Sequence, residues 1–170
     1  MCGIFWIRDD NDLSQTTASF KKIEHRGPDE SVLKKMRDDS VIGFHRLSIV
    51  GGDGGSQPIR SKSGSTLVCN GEIYNYKQFS TRFEFTGTSD CEVICCMIDE
   101  AFEKCGGDVS KRNGLIRDDL ALLDGPFAFV WIGGSGGVVC GRSCLGIRSM
   151  VYAKPTAKPT AKPTAAPTAK

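Results

Sequence analysis

The chain has only two histidines, His25 and His45, and none of its eight cysteines form a C-x-x-C pair. Neither histidine is spaced with cysteines as zinc ligands are, which argues against zinc-ribbon and thioredoxin-type chemistry. No metal and no cofactor are expected. Long apolar runs are also lacking, and a membrane helix needs about 20 consecutive apolar residues. The short apolar start runs directly into Arg8, Asp9, Asp10 and Asp12, unlike a signal peptide. The expectation is a cytoplasmic chain with reduced thiols and no membrane partner. An excess of one charge is missing too. The net charge is +2, but Lys154, Lys158, Lys162 and Lys170 supply four positive charges, leaving −2 for residues 1–152. That body offers no basic footprint for nucleic acid.

What is present suits one domain with a real core: 170 residues, 39% hydrophobic and 25% charged. From Ala153 to Lys170 the sequence repeats Lys-Pro-Thr-Ala with no large apolar residue. Proline at that density favours extended conformers, and nothing there can offset the entropy of folding, so a disordered tail is expected over 153–170. Residues 1–152 alternate strand-like and helix-like segments. Strands are expected at Gly3 to Arg8, Val41 to Ile49 and Thr66 to Cys69. A weakly amphipathic helix is expected over Leu13 to Glu24. A stronger one starts at Ser89, with a Ser89/Glu92 capping box, an apolar stripe through Val93, Ile94, Met97, Ile98, Ala101 and Phe102, and a stop at Gly106-Gly107. A short helix over Arg117 to Leu123 precedes a hairpin of Phe127 to Ile132 with Val138 to Gly141. Hairpin-clustered strands with helices between them indicate an α+β fold.

Chemistry enters at the second residue. Loss of Met1 leaves Cys2 carrying both a thiol and a free α-amine. The amine's ordinary pKa of about 7.7–8.0 suits a general base near neutral pH, and the thiol is a tethered nucleophile. In isolation Cys2 reads as an ordinary buried cysteine. Three further motifs sit where strands or helices end, as binding residues commonly do. They are Arg46-Leu47-Ser48-Ile49-Val50, Asn70-Gly71-Glu72-Ile73-Tyr74-Asn75-Tyr76 and Ser89-Asp90-Cys91-Glu92. Arg46 can fork onto a carboxylate, and Asp90 and Glu72 can meet an ammonium. The Asn70 amide and the Gly71 N–H can serve as oxyanion donors. Each is a common structural residue by itself; Asp90, for instance, suits any helix first turn. His25 reads as a turn residue and His45 as a satisfied strand histidine.

With His25-Arg26-Gly27-Pro28-Asp29 and Leu123-Asp124-Gly125-Pro126-Phe127-Ala128-Phe129, these motifs in order closely resemble the glutaminase domain of glutamine-dependent asparagine synthetases. Those are class II glutamine amidotransferases of the N-terminal-nucleophile hydrolase superfamily. The resemblance covers residues 1 to about 152. It implies a four-layer αββα sandwich and hydrolysis of L-glutamine to glutamate and ammonia through a Cys2 glutamyl thioester. It makes Asn70 and Gly71 the oxyanion hole, puts the α-carboxylate on Arg46, and sets Asp90 and Glu72 near the α-amine. The backbone of Arg46, Leu47, Ser48, Ile49 and Val50 would line the pocket.

The match has departures. Val32 stands where the family usually has glycine, so a local difference in that loop is expected. Arg142 to Tyr152 lacks the family's acid and proline, and the repeat tail follows where further strands would close the sheets. Loss of those last strands implies an exposed edge and impaired activity. No synthetase domain is recognisable, and Ser135-Gly136-Gly137 reads as a hairpin turn rather than a pyrophosphate loop. Ammonia would leave to solvent or to a separate ammonia-accepting synthetase subunit. A second reading is a non-catalytic remnant that binds glutamine or regulates.

Overall fold

Two antiparallel sheets face each other in the computed structural model, which describes residues 1–8, 12–48 and 56–153. The first sheet has the order β1-β3-β2, with β1 at Gly3–Ile7, β2 at Glu30–Lys35 and β3 at Val41–Arg46. The second has the order β4-β5-β6-β7, with β4 at Ile59–Arg60, β5 at Thr66–Gly71, β6 at Phe127–Ile132 and β7 at Val138–Arg142. Helix α1 is Leu13–Lys21, α2 is Glu92–Cys105 and α3 is Val109–Leu120. Wholly antiparallel sheets with separate helices agree with the α+β expectation.

Side-chain alternation decides which residues meet. Ile42 and Phe44 of β3 pack with Val68, Val130 and Ile132 of the second sheet, and Ile4 and Trp6 of β1 join them. Even-numbered residues of β1, β3 and β5 therefore point between the sheets. Odd-numbered residues point outward to the helices. Phe20 of α1 stacks on His45 with ring centroids 3.8 Å apart and meets Phe5 edge-on. On the far side, Leu67, Cys69, Phe127, Phe129 and Trp131 receive Val93, Ile94, Met97, Ile98 and Ala101 of α2, all five fully buried. The stripe read from the sequence is this buried face, and each such large side chain contributes about 1.5–3 kcal/mol.

Several expected elements differ. Ser89 and Glu92 form no capping box: α2 begins at Glu92, and Cys91 caps it without a side-chain bond. The Glu92 carboxylate instead accepts from the Thr86 N–H and hydroxyl at 2.7 and 2.6 Å and from the Gly87 N–H at 2.8 Å. Helix α3 starts eight residues before the expected Arg117, because the Asp108 side chain caps it by accepting from the Lys111 N–H at 3.0 Å. Strand β2 was not expected, and it absorbs the Val32 departure. Val32 is half-buried opposite Phe44 in ordinary extended pairing, so no glycine conformation is needed there. The hairpin turn at Gly133 to Gly137 is as read, closed by the Gly133 N–H donating to the Gly137 carbonyl at 3.0 Å. Among the described residues β7 has no neighbour beyond β6, and Leu145, Ile147, Val151 and Tyr152 are exposed. Residues 154–170 of the repeat tail lie outside the described residues.

Candidate active site

Pairing register assembles the site at one end of the inter-sheet space. Gly3 lies opposite His45, which puts Cys2 across from the end of β3, and Glu30 pairs with Arg46 on the other side. Cys2, Arg46 and Glu30 thus form a row across the first sheet, on the face turned toward the second. Cys2 Sγ lies 3.5 Å from the Leu47 nitrogen, whose N–H donates to it, and 3.9 Å from the Leu47 carbonyl. The Arg26 Nε–H donates to the Cys2 carbonyl at 3.2 Å. Arg26 was quoted in the sequence only as part of a turn. Nothing in the residues around it signals this contact. The bend is tight: a Cβ on Gly27 would stand 2.3 Å from the His45 carbonyl oxygen.

The second sheet faces this row with Asn70, which is buried and projects on the same side of β5 as Val68. Gly71 follows it. The backbone groups of Cys69 point away from β6, where the Gln57 side chain satisfies both: the Cys69 N–H donates to Gln57 Oε1 at 2.6 Å, and Gln57 Nε2 donates to the Cys69 carbonyl at 3.0 Å. By alternation the Gly71 N–H points to that same side, beyond the two-residue β4. No side chain fits at Gly71, because a Cβ would stand 2.4 Å from the Pro126 carbonyl.

Asp90 reaches the same end of β5, where its carboxylate accepts from the Ile73 N–H. Asn75 anchors the turn that follows, accepting from the Asp124 N–H and donating to the Leu122 carbonyl, both at 2.9 Å. Glu72 is exposed, with its backbone N–H on the Pro126 carbonyl. Ser48 is exposed, and its N–H donates to Asp29 at 2.6 Å. Ile49 and Val50 lie outside the described residues. His45 is satisfied on both nitrogens, by Ser31 Oγ at 2.7 Å and the Phe20 carbonyl at 3.0 Å. His25 holds the Lys22 carbonyl through Nδ1 at 3.1 Å.

The other thiols near the core are poor nucleophiles. The hydrogen bond the Cys91 thiol makes to Cys69, with burial second, pushes that thiol well up. Burial pushes Cys95 up to about 12 and Cys96 up to about 11. Such thiols stay protonated near neutral pH. Cys2 is half-buried and faces a backbone donor. A groove of about 920 Å³ between α3 and β6–β7 contains none of Cys2, Arg46, Asn70 or Asp90. Among the described residues no group of three or more His, Cys, Asp or Glu side chains is arranged to hold a metal ion.

A family model described as a glutamine amidotransferase domain matches residues 1–161. The chain belongs to that family. This glutamine amidotransferase domain is also 36% identical over 161 residues to the glutamine-hydrolyzing asparagine synthetases of Mesocricetus auratus and Homo sapiens, covering 90% of this chain and 26% of each relative. It is 37% identical over 137 residues to the Gallus gallus protein of the same name, covering 76% of this chain and 22% of that one. The domain thus spans about a quarter of the length of these relatives. Among solved structures, the glutamine phosphoribosylpyrophosphate amidotransferase from B. subtilis, complexed with ADP and GMP, superposes with a TM-score of 0.60. That match has 20% identity, covers 84% of this chain and 37% of the other, and reflects a shared fold.

Proposed function

We propose that this domain hydrolyses L-glutamine to glutamate and ammonia, with Cys2 as nucleophile. The supporting observation is the Cys2 thiol held beside the Leu47 N–H, with the Cys2 carbonyl fixed by the Arg26 Nε–H, at the end of an inter-sheet space where Asn70 is buried. Once Met1 is removed, the Cys2 amine takes the thiol proton and the sulfur attacks the glutamine side-chain carbonyl. The Asn70 amide and the Gly71 N–H hold the resulting oxyanion, an interaction worth a few kcal/mol. The amine then protonates the departing nitrogen, the C–N bond breaks and a glutamyl thioester remains. Water adds to the thioester and releases glutamate. Arg46 takes the substrate α-carboxylate, and Asp90 with Glu72 lies near its ammonium. The backbone of residues 46–50 lines the pocket.

On this reading the two helix layers and two sheets form the αββα sandwich of N-terminal-nucleophile hydrolases. The unit is residues 1–152, and it acts in the cytoplasm. Ammonia passes to solvent or to a separate synthetase subunit. One observation favours the second reading, glutamine binding without turnover. The open β7 edge and the exposed Leu145, Ile147, Val151 and Tyr152 suit a domain whose last strands are lacking and whose activity is impaired.

Glutamate release from glutamine decides between them. The unsubstituted chain is expected to turn over and Cys2→Ala to fall to background. Equal release by both would remove Cys2 from the chemistry, and glutamine binding with no release by either would support the non-catalytic reading.

A further inference from the structure

Arg46 does not wait for a ligand without a counter-ion. Its Nη1 lies 3.4 Å from Glu30 Oε2, and the Ser56 hydroxyl lies 3.4 Å from that same oxygen. The pairing is built into the sheet, because Glu30 and Arg46 are direct partners in the β2–β3 register and share one face. The contact is nonetheless loose. Charge-assisted N–H···O bonds to a carboxylate are about 2.7–2.9 Å long, and guanidinium–carboxylate pairs are often two-pronged. Here one nitrogen meets one oxygen at the outer limit, and the Glu30 side chain is 37% exposed against 15% for Arg46.

We propose that Glu30 is an internal counter-carboxylate that the substrate's α-carboxylate must displace from Arg46, and that it sets the affinity of the pocket for glutamine. The proposal rests on the reading of Arg46 as the carboxylate-binding residue. An incoming α-carboxylate offers the planar guanidinium two short parallel bonds, better than the long one to Glu30. Glu30 can turn to water, being more than a third exposed, and keep Ser56. Its charge stays in place, however, and repels the arriving carboxylate from a few ångströms away. Asp90, in the turn before α2 and held on the Ile73 N–H beyond β5, and Asp29 at the neighbouring bend add negative charge. The pocket therefore favours a head group that brings its own cation, and holds it less tightly than an unopposed Arg46 would.

Glu30 acts through Arg46 and touches no reacting atom, so it is a positioning residue. A purely structural role, clamping the β2 edge onto β3, makes the opposite prediction: neutralising Glu30 would leave glutamine affinity unchanged or weaken it.

Equilibrium binding separates these readings. The full chain carrying Cys2→Ala, which cannot turn over, is titrated calorimetrically with L-glutamine, alone and combined with Glu30→Gln or Arg46→Met. Glu30→Gln keeps shape and hydrogen bonding but removes the charge, and should lower Kd about two- to five-fold, as expected of a partly exposed ion pair. The compound 4-aminobutanamide, which is glutamine without its α-carboxylate, should bind both forms equally. Arg46→Met should weaken glutamine at least ten-fold. An unchanged or weaker Kd for Glu30→Gln, with Arg46→Met still damaging, overturns the role of Glu30 alone. Equal tightening for 4-aminobutanamide also overturns it, because the effect would then not run through the carboxylate. Glutamine binding that survives Arg46→Met, or is absent before it, overturns the underlying reading of Arg46 and this inference with it.

Discussion

Single residues do different work in this site according to what the backbone leaves open. Gly71 does not tolerate a side chain, because a Cβ would meet the backbone of Pro126 and Phe127 at 2.4 and 2.6 Å. Backbone cannot yield as a flexible side chain can. Gly71→Ala is expected to cost about 1–3 kcal/mol, seen as a melting temperature several degrees lower, and to abolish glutamate release below that temperature. Gly107→Ala, whose Cβ would meet nothing within 4 Å, should change neither. Unchanged activity in Gly71→Ala would mean that the β5–β6 end is looser than described. At this scale the sequence singled out candidates by residue chemistry, and Cys2, Arg46, Asn70 and Asp90 lie toward one end of the inter-sheet space. Arg26 was not legible, because its contribution is one Nε–H on the Cys2 carbonyl. Such a contact depends on where a turn falls in three dimensions, and no pattern in the residues around it records that.

Elements were legible where burial imposes a period. Helix α2 and the β6–β7 hairpin match their expected apolar patterns, since both pack a continuous face into the core. Strand β2 (Glu30-Ser-Val-Leu-Lys-Lys) was hidden because an edge strand half-buries only Glu30, Val32 and Leu33 and leaves its other residues exposed. Helix α3 was hidden because Ser110 to Gly114 carries no stripe; Ile116 inside the core and the ion pairs of Arg82 hold it. Arg82 joins α2 to α3, with Nη2 on both Glu100 and Asp119 and Nη1 on Asp119 at 2.9 Å. Asp119 is 6% exposed, so removing its partner strands a nearly buried carboxylate. Arg82→Ala should destabilise by about 2 kcal/mol, between the exposed and the buried limits for ion pairs.

The pH dependence of that loss has a definite sign. Hydrogen bonding from Arg82 is the main cause holding the Glu100 carboxyl below its ordinary value. A carboxylate with a lowered folded pKa stabilises above its unfolded pKa, about 4.3 for glutamate, and loses that contribution as pH falls through the folded value. The melting temperatures of Arg82→Ala and the unsubstituted chain should therefore converge as pH falls below about 4.3. A gap that stays constant or widens would show that Arg82 does not stabilise α2–α3 through these carboxylates.

At the scale of the whole molecule, the candidate site comes together only because two sheets close on each other. The first contributes Cys2, Arg46 and Glu30, and the second contributes Asn70, Gly71 and the turn that Asp90 holds. Neither sheet has a site alone, so the chemistry reports on the assembled core. The ordered motifs made the family legible from the sequence. They did not make the sheet order legible, because pairing joins β1 to β3 and β5 to β6 across 34 or more residues, where local pattern carries no register. The chain matches about a quarter of the length of its asparagine synthetase relatives, and within that quarter the account rests on one nucleophile. The most direct test is the intact mass of the folded chain after incubation with diazo-oxo-norleucine, an electrophile shaped like glutamine. The account predicts loss of Met1 and a single adduct on Cys2 that excess glutamine prevents and Cys2→Ala abolishes. Retained Met1, or a folded protein that gains no adduct, would contradict it.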